Sequence, residues 1–333
     1  MKKVLFLFGG RSHEHIVSCN SLKSIIENID ESKFSYTLVG IDNKGDWYLY
    51  NDSLDFLKDG SWIYKNKYKI DNISEYLKQF DVIFPIIHGN FGEDGRLQGL
   101  FESLKIPFVG SKTLSSAICM DKVIFKSLMK KNNIPVVPYI AFSDKINKKV
   151  KKSLYYPIIV KPSREGSSIG IKKVKNKNEL DNAIKYAKKF DKKIIIEKFI
   201  NAKEIEIAIL ENNHKLIIST PGEIISANDY YDFDAKYNNS ESKTIIPANI
   251  PNNIIAKMKD YAKLAYKFCE CTGFARVDFF YEESSGKIYI NEINTIPGFT
   301  KISMFPKLLE YEKINYQKQI TILINNALKD NNL

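Results

Sequence analysis

The last third of the chain contains the stretch Arg276-Val277-Asp278-Phe279-Phe280 and, after a short turn, Tyr289-Ile290-Asn291-Glu292-Ile293-Asn294. This pattern predicts two strands joined as a β-hairpin. Residues two apart on a strand point to the same face, so Glu292 and Asn294 project together, and Asp278 can join them from the neighbouring strand. Mg²⁺ prefers such oxygen ligands, together with water and phosphates, in proteins that handle ATP. The hairpin therefore predicts a magnesium site, with solvated hairpin charges as the alternative.

A glycine- and serine-rich loop follows another predicted strand, at residues 158–161. Its sequence is Lys161-Pro162-Ser163-Arg164-Glu165-Gly166-Ser167-Ser168-Ile169-Gly170. In such loops backbone N–H groups and small hydroxyls approach an anion closely, and a lysine supplies compensating charge. The loop is not a P-loop, because no Gly-Lys-Ser/Thr precedes a helix. Taken alone, it is equally consistent with a phosphate cradle and with a structural hairpin.

The N-terminal part of the chain alternates predicted strands with a predicted helix. The strands are expected at residues 4–8, 36–41 and 82–87, and the helix at 17–28. This alternation predicts an α/β unit with a parallel sheet. In such sheets ligands lie beyond the carboxyl ends of the strands, so the polar turns at residues 9–14 and 88–96 should face a common crevice. A helical pattern at 115–132 then leads into the next unit, and we place a domain boundary near residue 115.

The composition is that of an ordinary globular protein. The chain has 333 residues, 44% of them hydrophobic and 27% charged, which is enough for two or three packed units. The formal charge of +11 comes mainly from lysines spread along the sequence. A nucleic-acid binder would more often concentrate its charge in a stripe with interleaved aromatic residues. A solvated basic surface is therefore favoured, and such a surface also attracts anions such as ATP.

Cysteine usage and hydropathy indicate a reduced, non-membrane protein. The four cysteines, at positions 19, 119, 269 and 271, form no C-x-x-C pair, which fits a reducing cytosol. The apolar run after Met1-Lys2-Lys3 is only five residues long before Gly9 and is interpreted as a strand, not a signal peptide. No segment approaches the roughly twenty apolar residues that span a bilayer.

Several motifs along the chain, taken in order, resemble those of one enzyme family. They are Gly9-Gly10-Arg11-Ser12-His13-Glu14-His15-Ile16-Val17-Ser18, His88-Gly89-Asn90-Phe91-Gly92-Glu93-Asp94-Gly95, the loop at 161–170, Glu197-Lys198-Phe199-Ile200, and the hairpin with the following Thr295-Ile296-Pro297-Gly298. Together they resemble the ATP-grasp enzymes, and specifically the D-alanine:D-alanine ligases. The resemblance extends over nearly the entire chain.

This resemblance implies a three-domain ATP-grasp fold of the α/β class. An N-terminal parallel-sheet (preATP-grasp) domain would occupy residues 1–115, a central ATP-grasp subdomain 116–199, and a C-terminal ATP-grasp subdomain with the metal site 200–333. The implied reaction joins two D-alanine molecules through an acyl phosphate, with ATP as co-substrate and two Mg²⁺ (or Mn²⁺) ions, for peptidoglycan precursor synthesis. We expect a cytoplasmic homodimer that binds D-alanine and ATP and uses neither nucleic acid nor a membrane.

The resemblance also implies which residues bind ATP and the metals. The phosphates would be touched by Lys122, Lys161 and Lys236. Glu197 and the backbone after it would hold the adenine, and Glu204 the ribose hydroxyls. The magnesium ligands would be Asp278, Glu292 and Asn294.

A further set of residues would handle the two amino acids. Glu14 would accept the ammonium of the first D-alanine, with Ser167 and Tyr237 linked to it and His88 nearby. Arg276 and the backbone N–H of Gly298 would stabilise the negative oxygen of the tetrahedral intermediate, which needs donors placed in advance. Ser303 would hold the carboxylate of the second amino acid. The aromatic stretch around Lys236 and Tyr237 resembles a mobile lid, at about residues 226–245.

Some alternatives stay open from the sequence. Lys301 and Ile302 lie near the implied second-substrate pocket and leave D-serine open as the second substrate, whereas the retained Tyr237 argues against D-lactate. Another ATP-grasp ligase would share the ATP residues without Glu14, His88 and Ser303. From other classes, a basic nucleic-acid binder and an ATP sensor without turnover are less consistent with the intact donor set. His13 and His15 flank Glu14, but no further histidine or cysteine cluster supports zinc.

Overall fold

The computed structural model describes residues 1–65, 67–147, 151, 153–225 and 243–329, and within them three β-sheets occupy separate stretches of the chain. Lys236, Tyr237 and most of the predicted lid lie outside these residues. Among the described helices, none has the length and apolar character that a membrane span requires.

The first sheet has the strand order β4-β3-β2-β1-β5. Its strands are β1 (Lys2–Gly9), β2 (Phe34–Ile41), β3 (Trp47–Tyr50), β4 (Lys67–Lys69) and β5 (Val82–Pro85). Around it lie α1 (His15–Ile26), α2 (Ile73–Leu77), α3 (Arg96–Ser103) and 3-10 turns at Leu54–Leu57 and Ser61–Tyr64. β1 pairs in parallel with β2 and β5, whereas β3 and β4 extend the sheet antiparallel. Both faces of β1 are covered, Phe6 and Leu7 being fully buried in different clusters, as parallel strands require.

The second sheet is antiparallel, with the order β6-β9-β7-β8. Its elements are β6 (Tyr139–Phe142), β7 (Ile158–Pro162), β8 (Lys172–Val174), α6 (Lys177–Ala187) and β9 (Ile194–Lys198), preceded by α4 (Thr113–Met120) and α5 (Lys122–Lys131). The helical pattern expected over 115–132 corresponds to two helices, because the backbone of Asp121 is extended between α4 and α5. The Asp121 carboxylate accepts the N–H groups of Val123 and Ile124 at 3.1 and 3.2 Å and so starts the second helix.

The third sheet contains the predicted hairpin. Its order is β13-β12-β10-β14-β15, with β11 paired to β10, and its strands are β10 (Lys203–Asn212), β11 (Lys215–Ile218), β12 (Gly222–Ile225), β13 (Lys243–Ile245), β14 (Phe274–Glu282) and β15 (Lys287–Asn294). The accompanying helices are α7 (Asn252–Phe268), α8 (Met304–Tyr311) and α9 (Tyr316–Lys329). In the β14–β15 register Asp278 lies opposite Glu292 and Arg276 opposite Asn294, with an irregularity after Asp278.

One hydrophobic cluster joins the first sheet to the third. Phe274 at the start of β14 contacts Phe84 of β5, with ring centroids 6.4 Å apart, and also Phe299 and Phe305 at 6.1 and 5.5 Å. The cluster includes buried residues of β1 and α1 as well as of α8 and α9. The segment after β15 is therefore packed against the N-terminal sheet, and this packing positions residues 296–303 beside the turns that follow β1 and β5.

Candidate active site

Two adjoining cavities hold most of the residues that the sequence singled out. The first lies between the second and third sheets and is lined by Lys122, Lys161, Gly166, Ser167, Glu197, residues 198–202, Glu204, Glu206, Asp278 and Glu292. The second reaches toward the N-terminal sheet and is lined by Glu14, His88, Glu93, Gly166, Ser167, Glu206, Arg276, Glu292, Asn294, residues 296–298, Thr300 and 302–304. Because Gly166, Ser167, Glu206 and Glu292 line both, the two cavities form one continuous site.

A buried carboxylate is shared by two lysines at the floor of the first cavity. Lys126 Nζ lies 2.9 Å from one oxygen of Glu197, and Lys161 Nζ lies 2.7 Å from the other. Burial opposes ionisation of Glu197, but the charges of Lys126 and Lys161 outweigh it and lower the pKa of Glu197 to about 2. The ion pair fixes the Lys161 ammonium at the end of β7. It also occupies both oxygens of the side chain that the sequence assigned to adenine.

Lys126 is a site residue that sequence reasoning missed. It is fully buried, and burial lowers its pKa despite the charge of Glu197. It lies one helical turn after Lys122, on the face of α5 that also buries Phe125 and Met129. A lysine at such a position in an apolar stripe was the available signal, because lysines are almost never fully buried unless they are paired.

Lys122 connects the glycine-serine loop to the hairpin. As the first residue of α5 it donates from Nζ to the backbone oxygen of Glu165 at 2.8 Å, and it lies 3.1 Å from Glu292 Oε2. Burial favours its neutral amine, yet the neighbouring charge of Glu292 outweighs that effect and raises the pKa of Lys122. A cation is therefore held where the loop and the hairpin meet.

The hairpin brings acids, an amide and a guanidinium together on one face. Arg276 donates to both oxygens of Asp278, each at 2.8 Å, and its Nε lies 3.0 Å from Glu206 Oε2. Asn294 donates from Nδ2 to Asp278 at 3.0 Å. The predicted convergence of Asp278, Glu292 and Asn294 thus has a geometric basis in the strand register. Glu206 on β10, opposite Asp278, was missed because its strand carries no recognisable motif.

This donor set fits a hard cation. In the described part of the chain, His, Cys, Asp and Glu side chains alone form no group of three or more arranged to hold a metal ion. The candidate set instead combines two carboxylates with an amide, and all three are hard oxygen ligands once the Asn294 amide presents its oxygen, whose assignment against nitrogen is a matter of hydrogen bonding. Arg276 and Lys122 now compensate the same carboxylates.

The N-terminal motifs meet the glycine-serine loop at Glu14. Glu14 is buried at the start of α1, and its carboxylate accepts a hydrogen bond from the Ser167 hydroxyl. Ser12 accepts the Glu14 N–H at 3.1 Å and donates to the His88 carbonyl at 2.6 Å. Ser167 has a positive φ of 47°. Three stretches far apart in the sequence therefore converge on one carboxylate.

The side chains of His88 and His15 both form hydrogen bonds within the protein. The His88 ring is buried, with Nδ1 2.9 Å from the Ile296 carbonyl and Nε2 3.1 Å from Ser21 Oγ. His15 contacts the Gly10 carbonyl through Nδ1 at 2.7 Å and accepts from Trp62 Nε1 at 3.1 Å. His15 thus belongs to the core of the N-terminal sheet.

Gly298 and Ser303 lie in the turn between β15 and α8. Ser303 Oγ accepts the Thr300 N–H at 3.1 Å, and a side chain at Gly298 would approach that oxygen to 3.0 Å. Lys301 is not among the residues that line the cavity, and its Nζ lies 2.9 Å from Glu27, the residue after α1. Ile302, in contrast, lines the cavity and is 68% exposed. Of Lys301 and Ile302, which the resemblance put near the second-substrate pocket, only Ile302 therefore borders the second cavity.

The fold and this cleft define an ATP-dependent ligase with the ATP-grasp architecture. The chain matches the family models for the N-terminal and C-terminal parts of D-Ala-D-Ala ligases over residues 3–111 and 128–325. The chain belongs to the D-alanine–D-alanine ligase family. The resemblance and fold class that the motifs predicted are thereby confirmed.

Individual relatives agree over their full lengths. A D-alanine–D-alanine ligase of Clostridium acetobutylicum is 42% identical over 341 residues, covering 99% of this chain and 99% of its own. The solved VanG D-Ala:D-Ser ligase of Enterococcus faecalis is 36% identical with a TM-score of 0.88, covering 98% of this chain and 99% of its own. The D-alanine–D-alanine ligase of Bacillus anthracis complexed with ATP is 26% identical with a TM-score of 0.78, covering 100% and 99%.

These comparisons establish the class of reaction. Members of the family join D-alanine to D-alanine at the expense of ATP and so supply D-alanyl-D-alanine for peptidoglycan synthesis. The chain is accordingly an ATP-dependent carbon–nitrogen ligase, as the sequence predicted.

Proposed function

We propose that the two cavities are the two halves of one ligation site, with ATP in the first and two D-alanine molecules in the second. The observation that supports this proposal is the shared wall of Gly166, Ser167, Glu206 and Glu292. Across that wall the end of a nucleotide phosphate chain would lie next to the amino-acid pocket. We propose the division into residues 1–115, 116–199 and 200–333, because each of these segments contains one sheet; the first boundary falls within α4 (Thr113–Met120). The site then lies where the three segments meet.

In the first cavity the lysines would compensate the phosphates. Lys122 and Lys161 line it with their ammonium groups buried, and positioning with electrostatic stabilisation supplies most of the catalysis in phosphoryl transfer. Because Glu197 is shared with Lys126, we assign it the task of holding Lys161. The backbone of residues 198–200 would then bind adenine, and Glu204 would bind the ribose hydroxyls.

The hairpin would hold the magnesium ions. Asp278, Glu292 and Asn294 are the donors, and Mn²⁺ would satisfy the same oxygens. When bound, the metal ions neutralise phosphate charge, so that a carboxylate can approach another anion. Arg276 and Lys122 would then exchange part of their present contacts with Asp278 and Glu292 for contacts with substrate.

In the first step the carboxylate of one D-alanine attacks the terminal phosphate of ATP, giving an acyl phosphate and ADP. Glu14 would hold the ammonium of that D-alanine, and the hydrogen bond from Ser167 orients the Glu14 carboxylate. We also assign Tyr237 to this link and Lys236 to the transferring phosphate, although both lie outside the described residues.

In the second step the amine of the other D-alanine attacks the acyl phosphate, and phosphate leaves. The tetrahedral intermediate carries a negative oxygen, which preorganised donors stabilise. Arg276 and Gly298 border the second cavity, and the Arg276 guanidinium and the Gly298 N–H would take this role. Ser303, in the same turn, would hold the carboxylate of the attacking amino acid.

The identity of the second amino acid is the finer question. The wall beside Ser303 includes Ile224 and Met304, and an apolar wall suits the methyl group of D-alanine. Such a wall rejects an added hydroxyl only weakly, by about 100-fold. D-serine is therefore the second candidate, favoured by the similarity to the VanG D-Ala:D-Ser ligase.

The experiment is product analysis by mass spectrometry with Mg-ATP and three mixtures: D-alanine alone, D-alanine with equal D-serine, and D-alanine with equal D-lactate. We expect D-alanyl-D-alanine to be the main product in all three. A predominance of D-alanyl-D-serine would overturn the second-substrate assignment. Absence of phosphate release with D-alanine would overturn the ligase itself.

We further propose a cytoplasmic location for this reaction. All four cysteines are free thiols buried in the protein, as expected where thiols are kept reduced.

A further inference from the structure

We propose that Ser21 is a positioning residue for the second chemical step. Together with His88, Ser21 fixes the turn at residues 296–299 and thereby directs the Gly298 N–H into the second cavity. Ser21 belongs to none of the motifs that pointed to the site. The proposal rests on the assignment of Gly298 as an oxyanion donor made above.

A chain of hydrogen bonds encloses the turn. Phe299 N–H donates to Ser21 Oγ at 3.3 Å, Ser21 Oγ lies 3.1 Å from His88 Nε2, and His88 Nδ1 lies 2.9 Å from the Ile296 carbonyl. A carbonyl only accepts, so in the neutral ring the proton is on Nδ1, and Nε2 accepts from the Ser21 hydroxyl. In the protonated ring both nitrogens donate and the same atoms remain bridged.

The two residues inside this bridge are Pro297 and Gly298. Proline has no N–H, so between the held carbonyl of Ile296 and the held N–H of Phe299 only Gly298 has a backbone donor to offer. Gly298 lines the cavity. Fixing the two ends of so short a turn fixes the direction of that donor.

The turn is also fixed from its other side. The Tyr316 hydroxyl donates to the Phe299 carbonyl, and the rings of Tyr316 and Phe299 are 5.2 Å apart. Tyr316 is the first residue of α9, which belongs to the same C-terminal part of the chain as the turn. Ser21 and His88, in contrast, come from the N-terminal sheet and its first helix, so the bridge sets the turn relative to the N-terminal part of the site.

Ser21 lies on the same helix that begins at Glu14, two turns further along. Both residues are buried, and positions seven apart lie on the same face of a helix. One rigid element would therefore hold the ammonium site of the first D-alanine and the donor for the second step. This arrangement would fix the position of the acyl phosphate relative to the oxyanion donors.

The test measures the two chemical steps separately in Ser21→Ala and in the wild type. The first step is followed by D-alanine-dependent exchange of ¹⁸O between the β–γ bridge and the β non-bridge positions of ATP, and the complete reaction by dipeptide formation. We expect dipeptide formation to fall at least about tenfold, since misplacement by about 1 Å can cost about 100-fold. The exchange and the KM for ATP should stay within about twofold of the wild type.

Three further measurements make the result specific. Ser115→Ala is the matched control, because Ser115 is, like Ser21, a buried helical serine with a hydrogen bond to a distant segment, in its case to the Glu270 carbonyl at 2.6 Å; it should leave both steps unchanged. Ser21→Cys preserves the side-chain volume but weakens the hydrogen bonds. It should show the same loss of dipeptide formation, and it replaces Ser21→Ala as the test variant if the alanine variant fails to fold. In ¹⁵N spectra the Nε2 resonance of His88 should shift in both Ser21 variants.

Wild-type dipeptide formation in both Ser21 variants would overturn the proposal, and so would an equal loss in both steps. If the wild-type enzyme shows ATP exchange with D-alanine but no dipeptide, the proposed ligation fails instead, irrespective of Ser21.

Discussion

The two halves of the site are built on different physical principles. The ATP half is a set of buried charges that compensate one another: Lys126 and Lys161 on Glu197, and Lys122 on Glu292. The amino-acid half relies more on hydrogen bonds between distant segments, such as Ser167 to Glu14 and His88 to Ile296. Breaking a buried charge pair leaves an uncompensated charge and costs several kcal/mol, whereas a typical hydrogen bond contributes about 1 kcal/mol. Perturbations of the ATP half should therefore have the larger effects.

The largest effect is expected at the hairpin. Asp278→Asn keeps the side-chain volume but removes the charge that pairs with Arg276 and would bind metal. Turnover should fall by at least about 1,000-fold, comparable to the loss of a principal electrostatic group. ADP release measures it, and circular dichroism checks that the fold is kept. Glu283→Gln, in the exposed turn after β14, is the control; substantial activity in the Asp278 variant would remove the metal assignment.

A second large effect is expected at Lys126. Lys126→Met removes one of the two cations on Glu197, so Glu197 would hold Lys161 more tightly against the pull of the ATP phosphates. The KM for ATP should rise about tenfold, and breaking a buried pair should destabilise the protein by about 3–5 kcal/mol. Lys130→Met, on the exposed side of the same helix, should change neither quantity. An unchanged KM for ATP would show that Lys126 does not act on Lys161.

The Glu197 charge should also appear in acid unfolding. Its pKa is lowered from 4.5 to about 2 in the folded state, so the ionised carboxylate stabilises the fold above the unfolded pKa, and this contribution is lost as the pH falls toward the folded pKa. The difference in unfolding free energy between the wild type and Glu197→Gln should shrink by about 2 kcal/mol between about pH 5 and pH 3. Urea titrations at the two pH values measure it, and a constant difference would contradict the charge pairing.

The smallest effect is expected at Lys301, at the edge of the amino-acid half. Its pair with Glu27 is solvent-exposed, and exposed pairs contribute about 0–1 kcal/mol. Lys301→Ala should leave turnover and the preference between D-alanine and D-serine within about twofold. A larger change in that preference, measured by product ratios, would place Lys301 in the second-substrate pocket after all.

The sequence predicted the parts of this molecule that local patterns determine. Alternation of apolar and polar residues was sufficient for the hairpin, since the period of two alone places Arg276 and Asp278 on one face. The parallel pairing of β1 with β2 and β5 followed from alternating strands and helices. The helical pattern over 115–132 corresponds to α4 and α5, but a continuous apolar period conceals the break at Asp121, which caps the second helix.

The remaining parts depend on tertiary contacts without a local signature. Ser21 meets Phe299 across 278 residues, and Glu206 meets Arg276 only because β10 and β14 are neighbours. Neither Ser21 nor Glu206 lies in a recognisable motif or in a stretch of unusual composition. Lys126 is intermediate, because a lysine in an apolar helical stripe was visible, but its ion pair with Glu197 was not.

The most direct test of the account is the ratio of products in a single assay. Purified enzyme with Mg-ATP and D-alanine should release one ADP for each D-alanyl-D-alanine formed, and with L-alanine it should release ADP no faster than with ATP alone. ADP release that does not depend on D-alanine, or that proceeds without dipeptide, would contradict a site in which the ATP half and the amino-acid half act as one.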